Sequence, residues 1–372
     1  VNKTQVNRIA LINFGGIGDE LLFSPVLVAI KLLFPEAETT LFLEKRSQAV
    51  TPLLPGVDRF ETLTIQGKNK VLAAGELLSY LQARRFDLVL SSGSNPLIAP
   101  LLWLSGIPLR FGFDSDRLSK GFLTQAAPLV KNRYAGEMYY ALAEALINWH
   151  THQSSNKTEI AVSPLPKIQL NPEFTKVSWL EKKPSRPLIL VHPGVSRVSI
   201  EKGIYKTWAA ENWSRCIQAL CQNADVCLVG GPDDQEIVDA ILKALPAKLT
   251  GFQNGYGLTK SLTDLALALQ TADLLLSVDS SPLHLAIALN TPTVAIFGPT
   301  DEKKLMPDPA LYPQFQAVIL PDLSCRPCLW DVRQTNCEAS TCLDVPVDLV
   351  VQSVQSQLSR LAVATQAAYE SS

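Results

Sequence analysis

Apolar residues gather along the chain in two alternating kinds of run. Short β-rich runs, "RIALINF" (8–14), "TTLFLEK" (39–45) and "FDLVLSS" (86–92), are separated by longer stretches of helical periodicity such as "ELLFSPVLVAIKLLF". Strand, helix, strand at this spacing predicts βαβ units and a parallel sheet. The alternation fades near Trp149, and "HQSSNKTEIAVSPLPKIQLNPEF" is polar and proline-bearing, so the region around 150–185 reads as a linker. A second series then begins with "PLILVHPG" (187–194), "DVCLVGGP" (225–232), "DLLLSVDSS" (273–281) and "TVAIFGPTD" (293–301). The tail carries apolar residues at Leu349, Val350, Val354, Leu358, Leu361 and Val363, the spacing of one amphipathic helix. The expected architecture is α/β, with two Rossmann-like parallel-sheet domains, 1–175 and 176–345, facing a central cleft, and a closing helix, 346–372, packed back on the pair.

Length and composition agree with two cores. A chain of 372 residues exceeds what a single core ordinarily fills, and 47% hydrophobic residues, 18% charged and a mean hydropathy of +0.13 describe a compact chain rather than a disordered one. A net charge of −2 lacks the basic excess of a nucleic-acid binder, so no nucleic-acid partner is expected. The opening "VNKTQVNRIALINFGG" runs into a strand pattern without the apolar core and cleavage site of a secretory signal, and a cytoplasmic protein is expected. The longest uncharged stretch, Leu88 to Leu109, contains "SSGSNP", which a spanning helix tolerates poorly, so no transmembrane segment is expected. A lipid-linked acceptor would still bring the protein to the inner face of a membrane as a peripheral contact.

The chemistry starts in "INFGGIGDELLFSP" (12–25), where a strand meets glycines and the glycines meet a helix. A dinucleotide loop would need G-x-G-x-x-G; Gly16 and Gly18 fit, but Leu21 holds the third position and Asp19 puts a carboxylate where a phosphate would sit. That leaves a capped helix, or a loop presenting a carboxylate to a substrate. In the second half Ser281 reads as an N-cap and Pro282 as the first helical residue, which places Ser280, Ser281 and free helix NH groups at the carboxyl end of a strand. His284 falls in the first turn. Lys206, ahead of the next helix, opposes a helix dipole, so an anionic partner accounts for it better than helix stability does. "HPGVSR", "GGPDDQE" and "GPT" end further strands, and together these ends make a candidate anion site. Arg110, Arg117 and Lys120 are available to an anionic acceptor. No P-loop, nucleophile elbow or H-E-x-x-H is present, and metal-free chemistry without a cofactor is expected. Cys216, Cys221 and Cys227 lie in apolar contexts, whereas Cys325, Cys328, Cys337 and Cys342 form C-x2-C-x8-C-x4-C, open to zinc, disulfides or free thiols and read as structural.

The motifs together resemble glycosyltransferase family nine, the heptosyltransferases of bacterial lipopolysaccharide core assembly. The likeness rests on "GIGDELLFSPVLVAIKLLFPEAE" and "LRFGF", then on "HPGVSR", Lys206 with "TW" and "ENW", "LVGGPDD", "VDSSPLHLAIALNTPTVAIFGPTD", "CRPC" and the closing helix. It implies a GT-B fold and inverting transfer of heptose or a related sugar from a nucleotide-diphosphate donor, ADP-linked in the family, to a glycan or glycolipid hydroxyl. By position, Asp19 falls on the family's proposed base. Ser196, Lys206, Asp234, Asp279, Ser280 and His284 fall on positions associated with the donor, with Thr300 on the loop beside them. The sequence departs from the pattern at Ser281, where the family has glycine, and at Asp234, where heptosyltransferases carry glutamate. Two other readings use the same fold: a nucleotide-sugar epimerase, needing no acceptor, and a non-catalytic sugar-nucleotide or glycan-binding protein.

Overall fold

The computed structural model describes residues 6–65, 67–153, 160–173, 177–329, 337 and 340–370. The chain divides into two compact units, Val1–Leu170 and Asn171–Ser372. In the first, strands β1 (Arg8–Asn13), β2 (Glu38–Glu44), β3 (Arg59–Leu63), β4 (Leu88–Ser91), β5 (Leu109–Asp114) and β6 (Gln125–Pro128) form a parallel sheet in the order β3-β2-β1-β4-β5-β6. Helices α1 (Ile17–Leu33), α2 (Lys70–Arg84), α3 (Ile98–Leu104), α4 (Arg117–Phe122) and α5 (Ala135–Gln153) connect or cover it.

The second unit repeats the plan. Strands β7 (Leu188–His192), β8 (Asp225–Leu228), β9 (Phe252–Asn254), β10 (Leu274–Val278), β11 (Thr293–Phe297) and β12 (Phe315–Ile319) are ordered β12-β11-β10-β7-β8-β9, the same 3-2-1-4-5-6 order counted within the unit. Its helices are α6 (Arg197–Glu201), α7 (Ala210–Leu220), α8 (Gln235–Ala244), α9 (Leu262–Thr271), α10 (Ser281–Ala288), α11 (Glu302–Leu305) and α12 (Val347–Glu370). In each sheet the chain reverses direction of travel beside its first strand, between β1 and β4 and between β7 and β10. Parallel α/β sheets bind ligands outside the carboxyl ends of the strands at such a switch point.

Central strands follow the apolar runs because both faces are covered: β4, β7 and β10 are buried at every residue. The edge strands β3, β6, β9 and β12 are only partly buried and carry no such run, so periodicity does not reveal them. In α1, Pro25 has no NH to give the Leu21 carbonyl; the Ser24 hydroxyl supplies the bond instead, at 2.6 Å, and itself accepts from the Lys167 NH at 2.7 Å. The second core is built around Trp208 and Trp213, fully buried and edge to face at 5.3 Å, with the Trp208 indole NH donating to the Val345 carbonyl at 3.1 Å. That bond ties the segment before α7 to the start of α12, which packs against α7 and strands β10, β11 and β12. Among the described residues no helix is long and apolar enough to cross a membrane.

Candidate active site

In the first unit Asp19 is the third residue of α1 and half-buried. Its carboxylate folds back over the loop, where Oδ2 accepts the Gly16 NH at 2.7 Å and Oδ1 lies 3.4 Å from the Tyr139 hydroxyl. A Cβ at Gly15 would stand 2.1 Å from the Asp19 Cβ, so the glycine that this turn requires is Gly15, one place ahead of the Gly16 and Gly18 singled out by the dinucleotide pattern. The loop is braced from outside: the Ser47 hydroxyl donates to the Gly15 carbonyl at 2.7 Å, and Ser92, following β4, bonds Asn13 at the end of β1. Arg46 brings a guanidinium to within 3.8 Å of where a Gly16 Cβ would lie. Tyr139 stacks edge to face on Phe23 at 5.9 Å; its hydroxyl is pushed well above the ordinary tyrosine value by burial and then by the charges of Asp19 and Glu20. Glu20, next to Asp19, is fully buried.

The other basic residues of this unit stand apart from that loop. Arg110 directs its guanidinium to the carbonyls of Phe122 at 2.7 Å, Ile107 at 2.6 Å and Pro108 at 3.1 Å, locking the β5 region rather than presenting a free charge. Lys120, on α4, pairs with Asp114 at 2.8 Å, and Arg117 opens the same helix, exposed.

In the second unit the predicted residues converge at the switch point. Asp279, following β10, is buried and takes the Lys206 ammonium at 2.7 Å. Burial alone would push the Asp279 carboxyl up; Lys206, by charge and hydrogen bond, with His284 and Thr300, more than reverses this and holds it below the ordinary carboxylate value. Lys206 is therefore not the solitary cation that the sequence suggests, although an ammonium has three hydrogens and Asp279 takes one. Ser280, rather than Ser281, is the N-cap of α10; Ser281 is its first residue, and Pro282 follows. The Ser280 side chain makes no capping bond; Pro282 has no NH and the Leu283 NH donates to the Ser280 carbonyl at 3.1 Å, so the helix start presents the Ser281 NH, flanked by two half-buried hydroxyls.

After β7, His192 places Nε2 3.3 Å from the Asp234 carboxylate, both buried, while its Nδ1 has no partner among the described residues. Asp234 accepts the Gly231 NH at 2.8 Å and packs so tightly on Gly194 that a Cβ there would meet its Oδ1 at 1.7 Å. The two acids at the two loop turns, Asp19 and Asp234, thus share one local geometry, a carboxylate closing back on the NH three residues earlier. Ser196 caps the short helix α6 through the Ser199 NH and lies exposed on the same loop. Tyr139, Arg46, Glu20 and His192 were not singled out by sequence; of these, Glu20 alone carries a signal, an acid on the apolar stripe of α1.

Cys325, Cys328, Cys337 and Cys342 line one cavity of about 90 Å³ with Tyr205 and Arg326. That segment clamps the loop after β11: the Arg326 guanidinium donates to the carbonyls of Gly298 at 2.7 Å and Thr300 at 3.0 Å, and the Cys328 NH to that of Pro299 at 2.9 Å. Among the described residues no group of three or more His, Cys, Asp or Glu side chains is arranged to hold a metal ion. Cys216, Cys221 and Cys227 are buried, with burial pushing their thiols up to about 12, 11 and 12, so they are inert fillers of the second core.

Two Rossmann-like units in sequence are the fold of GT-B-type glycosyltransferases. The chain belongs to glycosyltransferase family 9 (heptosyltransferase), whose model matches residues 75–338, a segment that holds the Lys206–Asp279 site but not Asp19. It is 25% identical to lipopolysaccharide heptosyltransferase 3 of Escherichia coli over 76% of this chain and 81% of that one. It is also 26% identical to lipooligosaccharide heptosyltransferase 2 of Campylobacter jejuni, over 84% and 86%. In fold it is similar to a family 9 glycosyltransferase of Veillonella parvula, at a TM-score of 0.69 and 21% identity over 97% of this chain and 100% of that one. It is likewise similar to E. coli ADP-heptose lipopolysaccharide heptosyltransferase II, at 0.66 and 19% over 95% and 99%.

Proposed function

We propose that the protein transfers a heptose from ADP-heptose to a hydroxyl of a lipopolysaccharide-type acceptor, with inversion at the anomeric carbon. The observation that carries this reading is the Lys206–Asp279 pair beside the open start of α10. An anionic leaving group there would meet an ammonium already oriented by a buried carboxylate, two hydroxyls, and the Ser281 NH at the positive end of the helix. The donor's identity follows from the relatives, two of which are named as heptosyltransferases of the lipopolysaccharide or lipooligosaccharide and one as acting with ADP-heptose. Ser196, Asp234, His284 and Thr300 complete the donor residues, while Gly16, Gly18, Arg117 and Lys120 serve the acceptor.

Asp19 is the base. The Gly16 NH holds one carboxylate oxygen, and the oxygen beside Tyr139 is the one left to receive a proton. The acceptor oxygen attacks the anomeric carbon as its proton passes to Asp19, the bond to the diphosphate breaks, and ADP leaves with the electron pair. Lys206, the Ser280 and Ser281 hydroxyls and the positive end of α10 take up the charge of the departing diphosphate, so the transfer needs no metal, and saturating chelator is expected to leave the rate unchanged. The protein works at the cytoplasmic face of a membrane, where a glycolipid acceptor is reached by peripheral contact.

A thermal-shift panel of ADP-, GDP-, UDP- and dTDP-sugars tests the donor. A ligand at 100 times its Kd stabilises the fold by about 2.7 kcal/mol, and ADP-heptose is expected to give the largest shift. A shift with UDP- or dTDP-sugars and none with ADP-heptose would overturn the donor assignment. Turnover without any acceptor would favour the epimerase.

A further inference from the structure

Beside Asp19 lies a second acid that the transfer step does not use. Glu20 is 0% exposed, on the stripe of α1 that also carries Phe23 and Leu27, and among the described residues neither of its carboxyl oxygens makes a hydrogen bond of good geometry, the nearest polar groups being the Asn13 side chain and the Gly15 main chain. The groups facing it are the Asn13 side chain from β1, the Gly15 main chain, Asp19 on α1, Arg46 from the short helix Lys45–Leu53 and Tyr139 from α5. The cation of that set, Arg46, is exposed and stands beside Gly16. An ionised carboxylate in such a place is far costlier than a neutral acid, and a glutamate kept among apolar side chains where leucine would pack calls for a use.

We propose that Glu20 is a positioning residue for the transfer step, a neutral carboxylic acid behind Asp19 that leaves the loop a single negative charge and leaves the loop's NH donors to Asp19. The inference rests on the reading of Asp19 as the base. Burial, above all, and then the Asp19 charge push the Glu20 carboxyl up to about 8, against smaller opposing effects of Asn13, Gly15 and Arg46. Below that value Glu20 keeps its proton, and Asp19 is left to accept the acceptor's. Glu20 neither gives nor takes a proton during transfer. Above it, the ionised Glu20 competes for the Asn13 amide and the glycine NH groups that shape the turn, and the capping bond that aims Asp19 is lost.

The test is the single-turnover transfer rate from ADP-heptose between pH 6.5 and 9 for the wild type and Glu20→Gln, with infrared spectra of both proteins over the same range. In the wild type the rate is expected to fall with a slope of one above pH about 8, so that the rate at pH 9 is roughly a tenth of that at pH 7. In Glu20→Gln the two rates should lie within about twofold of each other. The wild-type-minus-variant spectrum should show a protonated carboxyl band at pH 7 that disappears with a midpoint near 8. Tyr139 titrates too high to produce that limb. An alkaline limb retained in Glu20→Gln, or a carboxylate band at pH 7, overturns the inference. Glu20→Met, which removes every polar atom, replaces the glutamine variant if that misfolds. Asp19→Asn on the same substrates separates the two readings: if it keeps its rate the base assignment falls, whereas an inactive Asp19→Asn with an unmoved Glu20→Gln profile sinks the Glu20 inference alone. Should ADP-heptose not be turned over, the profile is run with the nucleotide sugar that the thermal-shift panel returns.

Discussion

At Lys206 the structure changes what a mutation should do. Read as a surface cation, it could be removed at no cost to the free protein; paired at 2.7 Å with the buried Asp279, it cannot. Lys206→Ala leaves an uncompensated buried carboxylate and should cost about 3 kcal/mol, visible in urea unfolding, with Asp279→Asn in the same chain restoring part of it. On the folded fraction, calorimetry should show ADP binding weakened about tenfold or more, the worth of a charge-assisted bond of roughly 1.5 to 3 kcal/mol. Unchanged binding would reduce Lys206 to a structural partner of Asp279. Glu20 gives the opposite sign. Its folded-state value, about 8, lies above the 4.5 of the unfolded chain, so the stability tied to its proton is full below 4.5 and is lost as pH rises through 8. Glu20→Gln escapes that loss. Relative to the wild type it should gain on the order of 3 kcal/mol between pH 5 and pH 8, and parallel stability curves would show Glu20 to be ionised throughout. Residue types at Asp19, Asp279 and Lys206 were legible in sequence because motif spacing marks them. The partners of Asp19 and Asp234 were not, nor was the pairing of Lys206 with Asp279, since Tyr139, His192 and Lys206 reach those acids through the fold and no local pattern records a contact at long separation.

Among the elements, those with a strong period were legible and those that depend on neighbours were not. The helix α1, the strands β7 and β10 and the closing α12 follow directly from apolar spacing. The start of α10 was misplaced by one residue because Ser280 and Ser281 are equally good caps by residue type, and Ser280 takes the position without making a side-chain bond. The edge strands escaped because none is buried along its whole length. The cysteine segment belongs to this scale, since its backbone and Arg326 clamp the loop Gly298–Thr300, and its cysteines line a small cavity with Pro299 of that loop. Cys325→Ser with Cys328→Ser is therefore expected to lower the melting temperature more than the turnover of the folded fraction. A double variant of wild-type melting temperature with turnover abolished would contradict that assignment.

For the whole molecule, two units of one strand order, 3-2-1-4-5-6, each bring a carboxylate-closed turn to the end of a sheet: Asp19 after β1, and Asp234 after β8 beside the loop that follows β7. The apolar runs predicted two parallel sheets, but strand order lies in pairing and could not be read from spacing. The same division of the chain underlies the proposed chemistry, with the proton handled in the first unit and the diphosphate in the second. Asp19→Asn isolates the first of these, because asparagine is nearly isosteric and its side-chain oxygen can still accept the Gly16 NH. The most direct measurement is single-turnover transfer from ADP-heptose by wild type and Asp19→Asn, with melting temperature and ADP affinity taken on the same preparations. Loss of a general base predicts a rate lower by about 10² to 10⁴, with fold and ADP affinity preserved. An Asp19→Asn protein that keeps more than about half the wild-type rate would contradict the account, leaving Asp19 as a helix cap and nothing more.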